Sequence, residues 1–131
     1  MKETLQDLKT RRSCRKYRSE QIKEEELDEI LEAGMYAPTG MGMQSPLIVA
    51  IQDKKTRDLL SKMNADIMGT DTDPFYGAPT VLVVLADKER RTYLDDGNMV
   101  IANLLNAAHA VGLDSCYIYR AKEEFDSPEG Q

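Results

Sequence analysis

"TVLVVLA", residues 80–86, is apolar without alternation. A strand of this kind is expected to be buried on both faces, with helices above and below, because alternation arises only where one face meets water. Downstream lies "DGNMVIANLLNAAHAVG", residues 96–112. Its Val100, Ile101, Leu104, Leu105, Ala108 and Val111 share a face at helical spacing, and Ala102, Ala107 and Ala110 widen that face. Gly112 is a natural stop for this helix. A helix this apolar is expected to be central, packed on the sheet and on a second partner.

Working outward, "LIVAI" (47–51) reads as a second short strand. Between the two strands, "KKTRDLLSKMNADIM" (54–68) reads as a helix with Leu59, Leu60, Met63 and Ile67 on its buried side, followed by the turn-rich "GTDTDPFYGAP" (69–79). "KEEELDEILEAGMYAP" (23–38) is a stronger amphipathic helix: Leu27, Ile30, Leu31 and Met35 fall on one face, acids crowd its first turn, and Pro38 ends it. "ETLQDLKTRR" (3–12) places Leu5 and Leu8 one turn apart in a shorter helix. At the other end "SCYIY" (115–119) reads as a third strand before a polar tail. The order helix, helix, strand, helix, strand, helix, strand predicts an α+β fold, an α/β sandwich with a small central β-sheet flanked by helices.

With 131 residues, the chain is expected to form one domain, 1–131. No apolar run approaches the roughly 20 residues of a membrane helix, and "MKETLQDLKT" lacks the apolar core of a signal peptide. Cys14 and Cys116 form no C-x-x-C, and one histidine with two remote cysteines is no metal ligand set. The expectation is a cytoplasmic protein with reduced thiols and no metal. A formal net charge of -6 argues against nucleic-acid binding, which usually shows a basic domain.

Against that acidic background, "KTRRSCRKYR" (9–18) gathers six cations and no acid. A helix end explains Lys9, Arg11 and Arg12, since positive side chains suit the negative end of the helix dipole. It does not explain Arg15, Lys16 and Arg18. Guanidinium forks match phosphate oxygens and Ser13 adds a hydroxyl, so a segment curled to bring Arg11, Ser13 and Arg15 together would suit a phosphate bearing a polyol, while a merely solvated basic turn is the ordinary reading of so short a pattern. A second stretch, "YAPTGMGMQSP" (36–46), offers close backbone approach at Gly40 and Gly42, soft apolar surface at Met41 and Met43, and a mixed donor and acceptor at Gln44 that suits a heterocycle edge. Taken alone, it reads as an ordinary helix-to-strand loop. His109, on the apolar helix, reads as a packed, hydrogen-bonded histidine rather than a catalyst.

In order and spacing these stretches resemble the nitroreductase family of FMN-dependent oxidoreductases. The carriers are Arg11-Arg12-Ser13-x-Arg15-x-Tyr17, then Ala37-Pro38-Thr39 after an acidic helix, then Gln44, "DPFYGAPTVLVVLAD", the Asp-Gly before the long helix, and "AAHAVGLDSCYIYRAKE". The resemblance implies that Arg11, Arg12, Ser13 and Arg15 hold the FMN phosphate and ribityl chain, with Arg15 toward the pyrimidine end. It implies that Pro38, Thr39, Gly40 and Gln44 form a loop laid across the cofactor of a partner subunit, and that Cys116, Tyr117 and Ile118 line the reactive side of the flavin with their backbone. It further implies an interwoven homodimer with the long helix at its seam. The implied reaction is hydride transfer from NAD(P)H through FMN to a nitroaromatic, quinone or similar electrophile. The flavin carries the chemistry, so no catalytic side chain is expected.

Two departures stand out. Gly42 occupies a position where many relatives carry Asn, and relatives continue past Gln131 with a further strand, an arm and a late basic residue. The alternative reading is therefore a shortened flavoprotein-like dimeric scaffold with weak FMN binding and little catalysis.

Overall fold

The structure, a computed structural model, describes residues 2–131. In chain order it contains α1 (Glu3–Thr10), α2 (Glu24–Met35), a 3-10 turn (Gly40–Gly42), β1 (Leu47–Ile51), α3 (Lys54–Met68), β2 (Val81–Leu85), α4 (Tyr93–Ala110) and α5 (Ala121–Asp126). β1 pairs with β2 in a two-stranded sheet, giving an α+β architecture. Two compact units divide the chain. The first comprises the chain up to Cys14, Ile22–Val49 and Val84–Tyr117, and the second Arg15–Gln21, Ala50–Val83 and Ile118–Gln131.

The first unit is organised by α2 packed on α4. Glu24, Glu25 and Glu26 fill the first turn of α2, where the helix dipole favours negative charge, and Glu26 accepts the Lys23 backbone N–H at 3.0 Å. Leu27, Ile30 and Gly34 form the buried face. A Cβ on Gly34 would stand 2.6 Å from Leu104 Cδ2 and 2.8 Å from Ile48 Cδ1, so a larger residue requires those two side chains to shift. Asn103 Nδ2 ties the pair by donating to Ala33 O at 2.9 Å. On α4 the buried stripe is Asp96, Val100, Leu104 and Ala108, spaced four apart, with Gly97 beside it. Gly112 ends α4 as expected. In the left-handed region (φ 85°) it donates to His109 O, while Leu113 N–H reaches Ala108 O at 2.8 Å, and together these satisfy two terminal carbonyls.

The core of the second unit is Leu60, Met63 and Phe75, with Ile51, Val81, Ile118 and Phe125 packed against it. Leu59 and Ile67, expected to be buried, are 47% and 44% exposed. The polar Arg57, Ser61 and Asn64 are buried on α3 instead, because each finds partners there. Arg57 donates to Ala78 O and Asp73 Oδ2, Ser61 to Asp73 Oδ1, and Asn64 to Tyr119 O and Glu124 Oε2.

Asp73 is the hub of the loop after α3. Partial burial pushes its carboxyl up. The Arg57 guanidinium, the Ser61 hydroxyl and the N–H groups of Gly77 and Phe75 outweigh that and lower it to about 2. A carboxyl held below its unfolded value near 3.8 adds stability above that pH and loses the contribution as pH falls toward 2. After discounting for solvent screening this is worth about 1–2 kcal/mol. Thermal melts from pH 6 to pH 2 are expected to lose that increment between about pH 4 and pH 2, and Asp73→Asn is expected to flatten this part of the curve.

Three expectations need correction. "TVLVVLA" is not buried on both faces: only Val83 is fully buried, because each strand of a two-stranded sheet is an edge. "SCYIY" contributes a single parallel bridge, Ser13 to Ser115, rather than a strand, after which Arg120 (φ 79°) turns the chain into α5. The polar tail folds as α5 because Phe125 packs into the second unit's core, an anchor too short to show a helical period. Leu5 and Leu8 on α1 stay 51% and 55% exposed.

Candidate cofactor site

The basic segment begins where α1 ends. Arg11 leaves the helix (ψ 136°) while its N–H still donates to Asp7 O at 3.1 Å. Arg12 Nη1 turns back to Lys9 O (3.0 Å) and Arg11 O (2.8 Å), so the helix-end role accounts for that side chain. Arg11 does not share it. Its Nη1 is shielded from solvent and meets no acceptor among the described residues.

Ser13 pairs in parallel with Ser115, and the Cys14 N–H donates to Ser115 O at 3.0 Å. Two predicted site segments from opposite ends of the sequence, Arg11–Ser13 and Cys116–Tyr117, are thereby brought alongside each other in the first unit. Ser115 Oγ is also shielded without a partner. Cys116 is half-buried with its thiol toward Tyr117 O (3.7 Å), and Tyr117 is exposed. Arg15 and Ile118 belong to the second unit, where Arg15 is exposed and the Ile118 side chain packs on the core.

The loop carrying Pro38, Thr39, Gly40 and Gln44 is built from inside and pinned from outside. Gln44 commits its amide to the loop: Nε2 donates to Met35 O (2.7 Å) and Ala37 O (3.0 Å), and Oε1 accepts from the Thr39 hydroxyl. The Gln44 N–H donates to Thr39 Oγ1 in return. Met41, Gly42 and Gln44 all take positive φ (56°, 63° and 50°). Gly42 takes this left-handed backbone without the Cβ penalty that any other residue, Asn least among them, would meet there.

The outside pin is Asp96, which sequence reasoning missed. It is 4% exposed in the first turn of α4, accepts the Gly40 N–H on Oδ1 at 2.9 Å and accepts the Thr92 hydroxyl on Oδ2 at 2.8 Å. A Cβ on Gly40 would lie 2.3 Å from Thr92 Oγ1, so only glycine fits against this pin. The sequence held two hints, an acid on the face of an otherwise apolar helix and its place in the Asp-Gly pair that carries the resemblance, but neither gave it a role. His109 is a packed histidine as expected: Nε2 meets Thr10 Oγ1 at 2.9 Å, and since that hydroxyl donates to Gln6 O, the ring nitrogen is the donor.

Around the loop, Met35, Tyr36, Met41 and Met43 are all more than half exposed, an apolar rim of the kind that marks a contact surface. Among the described residues no helix is long and apolar enough to cross a membrane.

A match to the Nitroreductase family covers residues 8–124. An Archaeoglobus fulgidus protein named as an NADH dehydrogenase/NAD(P)H nitroreductase is 31% identical over 123 residues, which are 90% of this chain and 68% of that protein. The Bacillus subtilis FMN reductase [NAD(P)H] is 29% identical over 88% of this chain and 46% of its own length. The chain thus spans between about half and two thirds of these curated relatives. A Bacteroides fragilis nitroreductase crystallised with bound FMN superposes with a TM-score of 0.91 at 29% identity, covering 99% of this chain and 76% of that one. An FMN-dependent nitroreductase from Clostridium difficile gives 0.88 at 30% identity, covering 97% and 65%. Pattern, sequence and fold agree over nearly the whole length: the chain belongs to the nitroreductase family.

Proposed function

We propose that the chain is an FMN-dependent oxidoreductase that carries hydride equivalents from NAD(P)H to a nitroaromatic, quinone or similar electrophile. The observation that carries this reading is the pairing of Ser13 with Ser115, which sets the phosphate-type segment beside the Cys116–Tyr117 segment. The residues present fit FMN, because the shielded Arg11 Nη1 has no acceptor within the described chain and a phosphate oxygen would supply one.

Bound FMN would supply the redox chemistry that links the nicotinamide donor to the second substrate. The chain's own residues bind and orient. Arg11 forks onto the phosphate and Ser13 adds a hydroxyl donor. Arg12 contributes positive potential while capping α1, and Arg15 carries positive charge for the pyrimidine edge. Cys116, Tyr117 and Ile118 are the residues whose backbone would line the ring. Pro38, Thr39, Gly40 and Gln44 form a loop for the cofactor of a partner subunit, with Gln44 acting through the loop's shape. The exposed apolar rim supports a homodimer that covers it. On this reading residues 1–131 act as one flavin-binding domain of a cytoplasmic enzyme without metal.

Purified protein reconstituted with FMN is expected to be yellow after desalting and to oxidise NAD(P)H when a nitroaromatic or quinone is added. Protein that stays colourless overturns the reading. Yellow protein without turnover points to the flavoprotein-like scaffold.

A further inference from the structure

We infer that Arg90 recognises the pyrophosphate of the nicotinamide dinucleotide donor, an inference that rests on the function proposed above. Arg90 lies in the turn between β2 and α4, with a backbone fixed at both ends: its N–H donates to Asp87 O (3.0 Å) and its carbonyl accepts the Tyr93 N–H (3.1 Å). Its side chain is half-buried, and Nε is shielded from solvent with no acceptor among the described residues. Nη2 reaches only the Met41 thioether, at 3.9 Å, which is a weak acceptor.

Arg57, whose guanidinium is buried, shows how this chain treats such a group: it pairs with Asp73 and donates to the Ala78 carbonyl. No ion pair of the described residues includes Arg90, although Asp87 and Glu89 flank it in sequence, and Asp87 instead accepts the Glu89 N–H. A shielded cationic N–H left without an acceptor is costly, and a ligand oxygen that completes it is correspondingly well bound. Two arginines of the first unit carry one shielded nitrogen each without an acceptor among the described residues, Arg11 Nη1 and Arg90 Nε, and FMN has one phosphate.

The surroundings indicate the ligand class. Met41, against which Arg90 rests, is 90% exposed at the tip of the loop proposed to lie over the cofactor. A planar cationic fork beside a soft apolar rim suits a molecule that joins a fixed negative charge to a flat ring. The acceptors proposed above need carry no fixed charge. The dinucleotide donor carries both a nicotinamide ring and a pyrophosphate, and the exposed Arg91 adds a second cation next in sequence.

The test has two arms. In nitrogen-15 spectra of the protein as purified, the Arg90 Nε–H, identified by its loss in Arg90→Lys, is expected to shift saturably with inorganic pyrophosphate and not with chloride of equal ionic strength. A resonance that does not move overturns the inference. In steady-state kinetics of the FMN-loaded protein, kcat/KM for NADH is compared with that for N-benzyl-1,4-dihydronicotinamide, a donor without phosphate. Arg90→Ala is expected to lower the ratio about tenfold, and Arg90→Lys less, because lysine keeps the charge but not the fork. An unchanged ratio, including one in which both donors lose equally, overturns it. Protein that binds no FMN overturns the proposed function instead, and the pyrophosphate titration then decides by itself whether Arg90 is an anion site.

Discussion

Arg11→Ala is expected to weaken FMN binding by roughly one to two orders of magnitude while riboflavin binding barely changes. Charge-assisted hydrogen bonds are worth about 1.5–3 kcal/mol, and about 1.4 kcal/mol is tenfold in affinity. The contrast between ligands isolates the phosphate, the one group that riboflavin lacks. Arg11 is singled out from its neighbour by structure: Arg12 is occupied by the Lys9 and Arg11 carbonyls, whereas Arg11 Nη1 has no acceptor in the described chain. Arg11→Lys is expected to recover only part of the loss, since a point charge cannot fork. Fluorescence titration with both flavins measures all of this. Equal weakening of FMN and riboflavin by Arg11→Ala would show that Arg11 does not hold the phosphate.

The second large effect is expected at Asp96. Asp96→Ala removes the acceptor of a part-buried Gly40 N–H and of the Thr92 hydroxyl together. Stranding a buried donor costs about 1–3 kcal/mol, so FMN affinity is expected to fall roughly tenfold or more as the loop loses its position. Asp96→Asn retains an oxygen for Gly40 and can donate to Thr92 Oγ1, so it is expected to remain near the parent. Amide exchange at Gly40 gives a readout independent of flavin, faster in the alanine variant and slow in the asparagine one. The same pin can be strained from the other side. Gly40→Ala drives a Cβ to 2.3 Å from Thr92 Oγ1, and the defect is expected to shrink when Thr92→Ala is combined with it. If Asn behaved like Ala at position 96, charge rather than loop position would be its contribution.

Much of this molecule is legible in its residue order. Acids before Leu27, the glycine after α4 and the apolar runs at 47–51 and 80–86 placed the helices and strands close to where they stand, because caps, dipoles and periodicity act over a single turn. The basic segment and the Pro38–Gln44 loop were visible as chemistry without a place. Local rules cannot report who the distant partner is. Whether an arginine ends as a helix cap, like Arg12, or with a shielded nitrogen that meets no acceptor among the described residues, like Arg11 Nη1 and Arg90 Nε, depends on which carbonyls and carboxylates the fold brings near. The burial of Asp96, the Arg57–Asp73 hub and the α5 anchor at Phe125 are likewise decided by contacts between residues far apart in the chain. Hydrophobic period records only which positions favour burial. A polar side chain becomes buried when tertiary structure delivers the hydrogen-bond partner that offsets its desolvation, and that partner is set by the fold rather than by the neighbouring sequence.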